Sequence, residues 1–282
     1  MNIIDCHTHT QYSMDSEADI IACAERAAEL GLAAWAVTDH CECDAWYSEG
    51  HYKDKDTLDY FDYHKCFCSS LEAVTALKGR YAGRLEILCG VEMGQPQSDP
   101  VVAKMMTDDK RLDMIVGSVH RIRKEKDFYW IDYERMTMDG IYDLLERYFL
   151  EVNEMCRMNC FDVLGHLTYC LRYMKQRNGI EADISRFDDI IADSFRILAQ
   201  NGKGIEINTS GLRQGFGETF PALKYVKLFR ELGGEVLSIG SDSHTVEDIA
   251  KNVTDAADIA REAGFTRLCY FRERKPVFIN ID

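Results

Sequence analysis

The chain has only four prolines in 282 residues and no repeat or low-complexity tract, so nothing in it reads as a linker between domains. No apolar run approaches the ~18 residues of a membrane span, and the first residues lack the basic start and apolar core of a secretory signal. Cations are in deficit. Thirty-three lysines and arginines against 48 acids leave a formal charge of −15. Such a surface repels phosphate backbones and anionic lipid, which excludes non-specific nucleic-acid binding and membrane docking. Zinc-ribbon CxxC pairs are missing too: Cys41 and Cys43, like Cys66 and Cys68, are spaced CxC. The eleven cysteines are odd in number and scattered, which suits free thiols in a reducing cytoplasm rather than a disulfide framework. A P-loop, a GxSxG elbow and an HExxH helix are likewise absent.

What the chain does have is alternation. Short apolar runs at 2–5, 33–39, 84–92, 112–120, 161–166, 203–210 and 235–244 read as seven strands. Amphipathic stretches lie between them. Ser16 and Asp19 form a capping pair for a first helix that stops at Gly31, and Thr245 and Asp248 cap a last one ending near Gly264. Ile141, Leu144, Leu145, Phe149, Val152 and Cys156 share one helical stripe, as do Phe187, Ile190, Ile191, Phe195 and Leu198. Strands this apolar belong in a parallel sheet covered on both faces. An open sheet clusters its chemistry at one switch point, whereas a barrel gathers it from many strand ends.

The ionisable residues favour the barrel. Of eight histidines, six stand at or just past the end of a strand: His7, His9, His40, His120, His166 and His244. Glu92, Glu206 and Asp242 occupy similar positions. Asp5 is placed to hold a turn or orient a histidine, and His51 and His64 fall in a polar excursion and face solvent. In an extended segment His7 and His9 point to one side, as do Asp242 and His244. A carboxylate can bridge two cations where an imidazole cannot, and Glu92 is the natural bridge. The candidates outnumber the ligands of one ion, which implies two or three. Mixed imidazole and carboxylate ligation suits Zn, Mn or Fe and disfavours Mg or Ca.

In this order, "DCHTH", "TDH", "GVE", "GSVH", "GH" and "GSDSH" resemble the polymerase-and-histidinol-phosphatase (PHP) family over essentially the whole chain. The resemblance implies a distorted seven-stranded (β/α)7 barrel, similar to a TIM barrel, with a trinuclear site, formed by one domain over residues 1–282. It implies one ion held by His7, His9, Glu92 and Asp242, a second by Glu92, His120 and His166, and a third by Asp15, His40 and His244. The length and "GSVH" are similar to the stand-alone phosphatases of the family. They imply a cytoplasmic enzyme of histidine biosynthesis that hydrolyses L-histidinol phosphate, a small anionic phosphate ester. The alternatives are another phosphoester, such as a nucleotide, sugar phosphate or phosphotyrosine, and amide or lactone hydrolysis of the amidohydrolase type.

Such a phosphatase needs donors for phosphate oxygens and a proton for the leaving alkoxide. Arginine forks match phosphate, and Arg213, Arg172 and Arg121 are the candidates. A metal-bound water or Asp242 can pass the proton. The excursion at 41–64 is acidic and aromatic and is expected to lie over the mouth as a lid.

Overall fold

A computed structural model of the chain describes residues 3–45 and 62–281. The seven apolar runs become the staves of a parallel sheet. β1 (Ile4–Asp5) pairs with β2 (Ala34–Val37), and β2 pairs with β4 (Glu86–Gly94). The order continues through β5 (Met114–Ser118), β6 (Val163–Leu164), β7 (Gly204–Asn208) and β8 (Leu237–Gly240). A short β3 (His40–Glu42) also pairs with β4, farther along it than β2. β2 and β3 are therefore one stave broken at Thr38 and Asp39. The break has a cause: Thr38 exchanges hydrogen bonds with Thr8, and the Asp39 carboxylate accepts from Thr10, Ser13 and Ser70.

The sheet closes on itself. Cys6 N–H donates to the Ile239 carbonyl at 2.9 Å, Asp242 N–H to that of His7 at 2.8 Å, and His9 N–H to that of Ser243 at 2.8 Å. All staves run parallel, so their C-terminal ends form one rim. Nine helices among the described residues follow the strands: α1 (Ile20–Glu29), α2 (Tyr63–Arg80), α3 (Pro100–Thr107), α4 (Met138–Met158), α5 (Arg172–Asn178), α6 (Asp188–Gln200), α7 (Ser210–Arg213), α8 (Leu223–Glu231) and α9 (Val253–Glu262). The apolar stripe of α4 is buried from Ile141 to Cys156, and α4 packs on α6, with Phe149 against Phe187 at the start of that helix. Each such side chain contributes about 1.5–3 kcal/mol by leaving water.

Three local expectations change. Asp19 caps α1 without Ser16, accepting from Ile21 and Ala22 N–H, while the Ser16 hydroxyl donates to the His244 carbonyl. The last helix begins at Val253 rather than after Thr245, because Ala250 and Asn252 adopt positive φ of 58° and 60°. Asp5 fixes that detour by accepting from Ala250 N–H, and from Ser241 N–H and Oγ. The chain also ends in an antiparallel hairpin that the strand reading omitted, β9 (Arg267–Arg272) and β10 (Lys275–Asn280). Of the excursion expected at 41–64, residues 46–61, including His51, lie outside the described residues; His64 is exposed.

Candidate metal centre

Each stave delivers its ionisable residue to the same rim, and the residues meet around Glu92, which is fully buried on β4. The two oxygens of Glu92 face different neighbours. Oε1 lies 3.0 Å from His120 Nε2 and 2.7 Å from His166 Nε2. Oε2 lies 3.3 Å from His7 Nε2, 3.5 Å from His9 Nε2 and 2.7 Å from His40 Nδ1. Asp242 Oδ1 is 3.3 Å from His9 Nε2 and 3.9 Å from His7 Nε2. Toward solvent, Asp15 Oδ2 lies 3.2 Å from His244 Nε2 and 3.6 Å from His40 Nε2. All nine residues singled out as ligands thus converge.

The grouping differs in detail from the expected one. Atoms close enough to share one ion are found in His7–His9–Asp242, His7–Glu92–His166, His40–Glu92–His120 and His9–His40–His244. His120 and His166 meet through Glu92 Oε1 but fall into separate groups, and Asp15 stands at the edge of the last.

Whether this cage suits cations can be tested on its own atoms. Nε2 of His7 and His9, Nδ1 of His40 and Oε2 of Glu92 are buried and lie close together, yet none of them meets a partner in hydrogen-bond geometry. A native interior does not leave so many polar atoms unsatisfied together, and cations shared among these groups would satisfy them. Tautomers agree. His7 Nδ1 lies 2.8 Å from Glu206 Oε1, an acceptor, so Nδ1 carries a hydrogen and Nε2 is the nitrogen left for an ion once its own proton is displaced. Ser13 Oγ donates to Asp39 and so accepts from His9 Nδ1 at 3.0 Å, with the same consequence for His9.

Electrostatics make the same case. Burial pushes the Glu92 carboxyl up, but His120, His40 and His7 outweigh it and hold the group well below the carboxylate range. Burial lowers His9 to about 3, with His244 and His40 adding to the effect, so His9 is neutral and able to ligate. Burial opposes charge on His120 as well, yet Glu92 and Glu42 raise it to about 10. The acids here are compensated by protons on imidazoles, which is the role divalent ions would take over.

A cavity of about 580 Å³ opens above the cage, walled by Tyr63, Tyr129, Trp130, Tyr169 and Tyr173, with Arg172 and Arg213 on one side. Arg172 Nε is buried without a partner, and its guanidinium lies 4.9 Å from the Tyr173 ring. Arg213 donates to the carbonyls of Ser241 and Asp242 and to Asp248. Arg121 is not among the lining residues; its Nε donates to Asp44 at 2.8 Å. A larger hollow of about 790 Å³, near Lys78, Glu86 and Asp113, has no histidine in its walls. Glu206 supports the cage from behind, and Asp5 stays outside it. Two participants carry no signal in the sequence, Glu42 and Asp127: nothing in "KEKDFYW" announces a wall of the mouth.

Comparison with known proteins agrees with this architecture. The sequence model of the PHP domain matches residues 5–210. The probable histidinol-phosphatase of Thermotoga maritima is 27% identical over 94% of this chain and 94% of its own. The histidinol-phosphatase of Lactococcus lactis is 25% identical, covering 98% of this chain and 96% of that one. The crystal structure of a histidinol phosphate phosphatase from Lactococcus lactis, complexed with zinc, L-histidinol and phosphate, shares the fold. It superposes with a TM-score of 0.77 at 22% identity, covering 98% and 99% of the two chains.

Proposed function

The chain belongs to the PHP domain family, and on that premise we propose that it is a metal-dependent phosphomonoesterase whose substrate is L-histidinol phosphate. One observation carries the reading: Glu92 turns one oxygen to each of two imidazole groups, at the floor of a cavity that Arg172 also lines. His7, His9, Asp15, His40, Glu92, His120, His166, Asp242 and His244 would hold two or three divalent transition ions, Zn, Mn or Fe. Such ions lower the pKa of bound water towards ~7 and neutralise charge on a phosphoryl group.

The protein's own residues supply the rest. Arg172, on the cavity wall, turns its guanidinium to a phosphate oxygen. Arg213 spends its donors on the 241–242 backbone and so sets the position of Asp242. The Asp242 carboxylate, held ionised by His9 and His7 against the push of burial, takes the proton lost by the attacking water and delivers it to the leaving alkoxide. Asp127 and the aromatic wall suit the other end of the substrate, an ammonium and a flat imidazole. The relatives named for this activity match over nearly their whole length, which supports the choice of substrate. The eleven free thiols fit a reducing cytoplasm.

A panel of phosphomonoesters tests the proposal: L-histidinol phosphate, a sugar phosphate, a nucleotide and phosphotyrosine, each offered to zinc- or manganese-loaded protein. L-Histidinol phosphate is expected to have the highest kcat/KM by at least tenfold. Preference for another ester would remove the substrate assignment, and no turnover of any would remove the phosphatase.

A further inference from the structure

We propose that Glu42 is a positioning residue for the metal centre: clamped by Gln95, it holds His120 as the Nδ1–H tautomer, so that Nε2 presents its lone pair beside Glu92. The proposal rests on the metal reading above and adds residues that lie outside every candidate ion group.

The clamp can be followed atom by atom. His120 N–H donates to Gln95 Oε1 at 2.9 Å, which fixes the way the amide faces, because an N–H requires an acceptor. The Gln95 amide nitrogen is thereby turned to Glu42 and donates to its Oε2. The remaining oxygen, Oε1, lies 3.0 Å from His120 Nδ1. A carboxylate so engaged accepts, so Nδ1 carries a hydrogen; without metal Nε2 can share a second one with Glu92 Oε1, 3.0 Å away, and that is the proton a bound ion would replace. One glutamine thus grips the backbone of a ligand-type histidine and also the acid behind its ring.

The surroundings are shaped for this contact. Gly94 stands opposite Glu42 in the β3–β4 register, and a Cβ there would lie 2.2 Å from Glu42 Oε2. Gln95 adopts a φ of 47°, a costly conformation for a residue with a side chain. Asp44, two residues beyond Glu42, accepts from Arg121, the neighbour of His120. Two acids of "CECD" therefore meet two consecutive residues of "VHR", and the excursion is anchored at its root to the loop that carries His120.

Supporting partners of ligating histidines are typically worth about 10–100-fold in metal affinity. The full-length protein, stripped of metal and titrated with Zn²⁺ against a chelating indicator, reads this directly. Glu42→Ala is expected to weaken one ion at least tenfold while the protein stays folded by circular dichroism. Glu42→Gln, which keeps an acceptor oxygen, is expected to lose less, and Gln95→Ala to fall between the two. Long-range ¹H–¹⁵N spectra of histidine-labelled, zinc-loaded wild-type protein are expected to show His120 with Nδ1 protonated and Nε2 bound. A folded Glu42→Ala protein with affinities within twofold of wild type, or an Nδ1-bound His120, would overturn the proposal. If Glu42→Ala does not fold, Glu42→Gln and the wild-type spectrum decide. Wild-type protein that takes up no zinc would overturn the metal reading as well; uptake unaffected by Glu42→Ala would overturn the clamp alone.

Discussion

His7, His9 and His120 are each fixed through Nδ1, by Glu206, Ser13 and Glu42, leaving Nε2 for the cage. The two arginines above them differ in the same concrete way. Arg172 has a buried Nε without a partner, whereas Arg213 already binds Ser241, Asp242 and Asp248. Arg172→Ala is therefore expected to cut kcat/KM at least tenfold, about 1.4 kcal/mol, with an unchanged unfolding midpoint. Arg213→Ala should lower both, and equal kinetics in Arg172→Ala and wild-type protein would take Arg172 out of the site. Eight of the nine ligand-type residues were legible because each stands at or just past the end of a strand, and strand ends can be read from apolar periodicity; Asp15, in a turn beyond β1, was indicated only by the family resemblance. Their supports were not, since Glu42 meets His120 across 78 positions and only the fold brings them together. The same burial governs the thiols. All eleven are free, and only Cys66, Cys68 and Cys160 are even partly exposed. Burial raises the Cys160 thiol to about 11, so its thiolate, the reactive form, becomes abundant only as pH climbs toward that value. Alkylation counted by mass spectrometry should reach at most three sites in native protein at pH 8, with Cys160 labelled faster at pH 10, and all eleven after denaturation. Early labelling of Cys41 or Cys170 would contradict the packing.

The C-terminal hairpin shows how an element can escape a sequence reading. Its turn is Glu273–Arg274, at φ of 50° and 62°, where glycine, asparagine or aspartate would normally announce a tight β-turn. What holds so unfavourable a turn is tertiary. Glu273 N–H donates to the Asp113 carboxylate and Arg274 N–H to the Asp113 carbonyl. The Arg274 guanidinium pairs with Asp162, which is fully buried and also accepts from Lys203 and from Ile115 N–H. Asp113 and Asp162 precede β5 and β6, so the hairpin fastens the end of the barrel opposite the cage. Arg274→Ala would leave Asp162 one cation short, a loss of about 1–3 kcal/mol by the usual cost of an under-satisfied buried acceptor. Urea unfolding should show that loss, while metal content and kcat/KM per folded molecule stay at wild-type values. An unchanged midpoint would mean that Lys203 suffices. Regular helices such as α4 were legible from their stripes, but the late start of α9 was not, because Asp5, at the other end of the chain, dictates it.

At the scale of the whole barrel, the cage coincides with the seam where the sheet closes. His7 and His9 follow the first stave, Asp242 and His244 follow the last, and the hydrogen bond from Asp242 N–H to the His7 carbonyl crosses between them. Asp242 takes a φ of 54° to make that crossing, a conformation a non-glycine residue adopts at some cost. In metal-free protein the junction therefore carries crowded acids, imidazoles and a strained residue. Ions shared by His7, His9 and Asp242 would tie one edge to the other, so they are expected to stabilise the fold as well as supply chemistry. Ligand present at a hundredfold over its Kd adds about 2.7 kcal/mol to a folded state. For a domain of this size each kcal/mol moves Tm by roughly 2–4 °C, so removal of metal should lower Tm by about 5–10 °C. Dipicolinate treatment followed by calorimetry measures the drop, and restored zinc or manganese should recover both Tm and turnover. Hydrogen exchange locates it: the amides of Cys6, His9 and Asp242 should lose protection first, ahead of those in β5 and β7. If activity vanished on chelation while Tm and seam protection held, the ions would serve the reaction and the barrel would close without them.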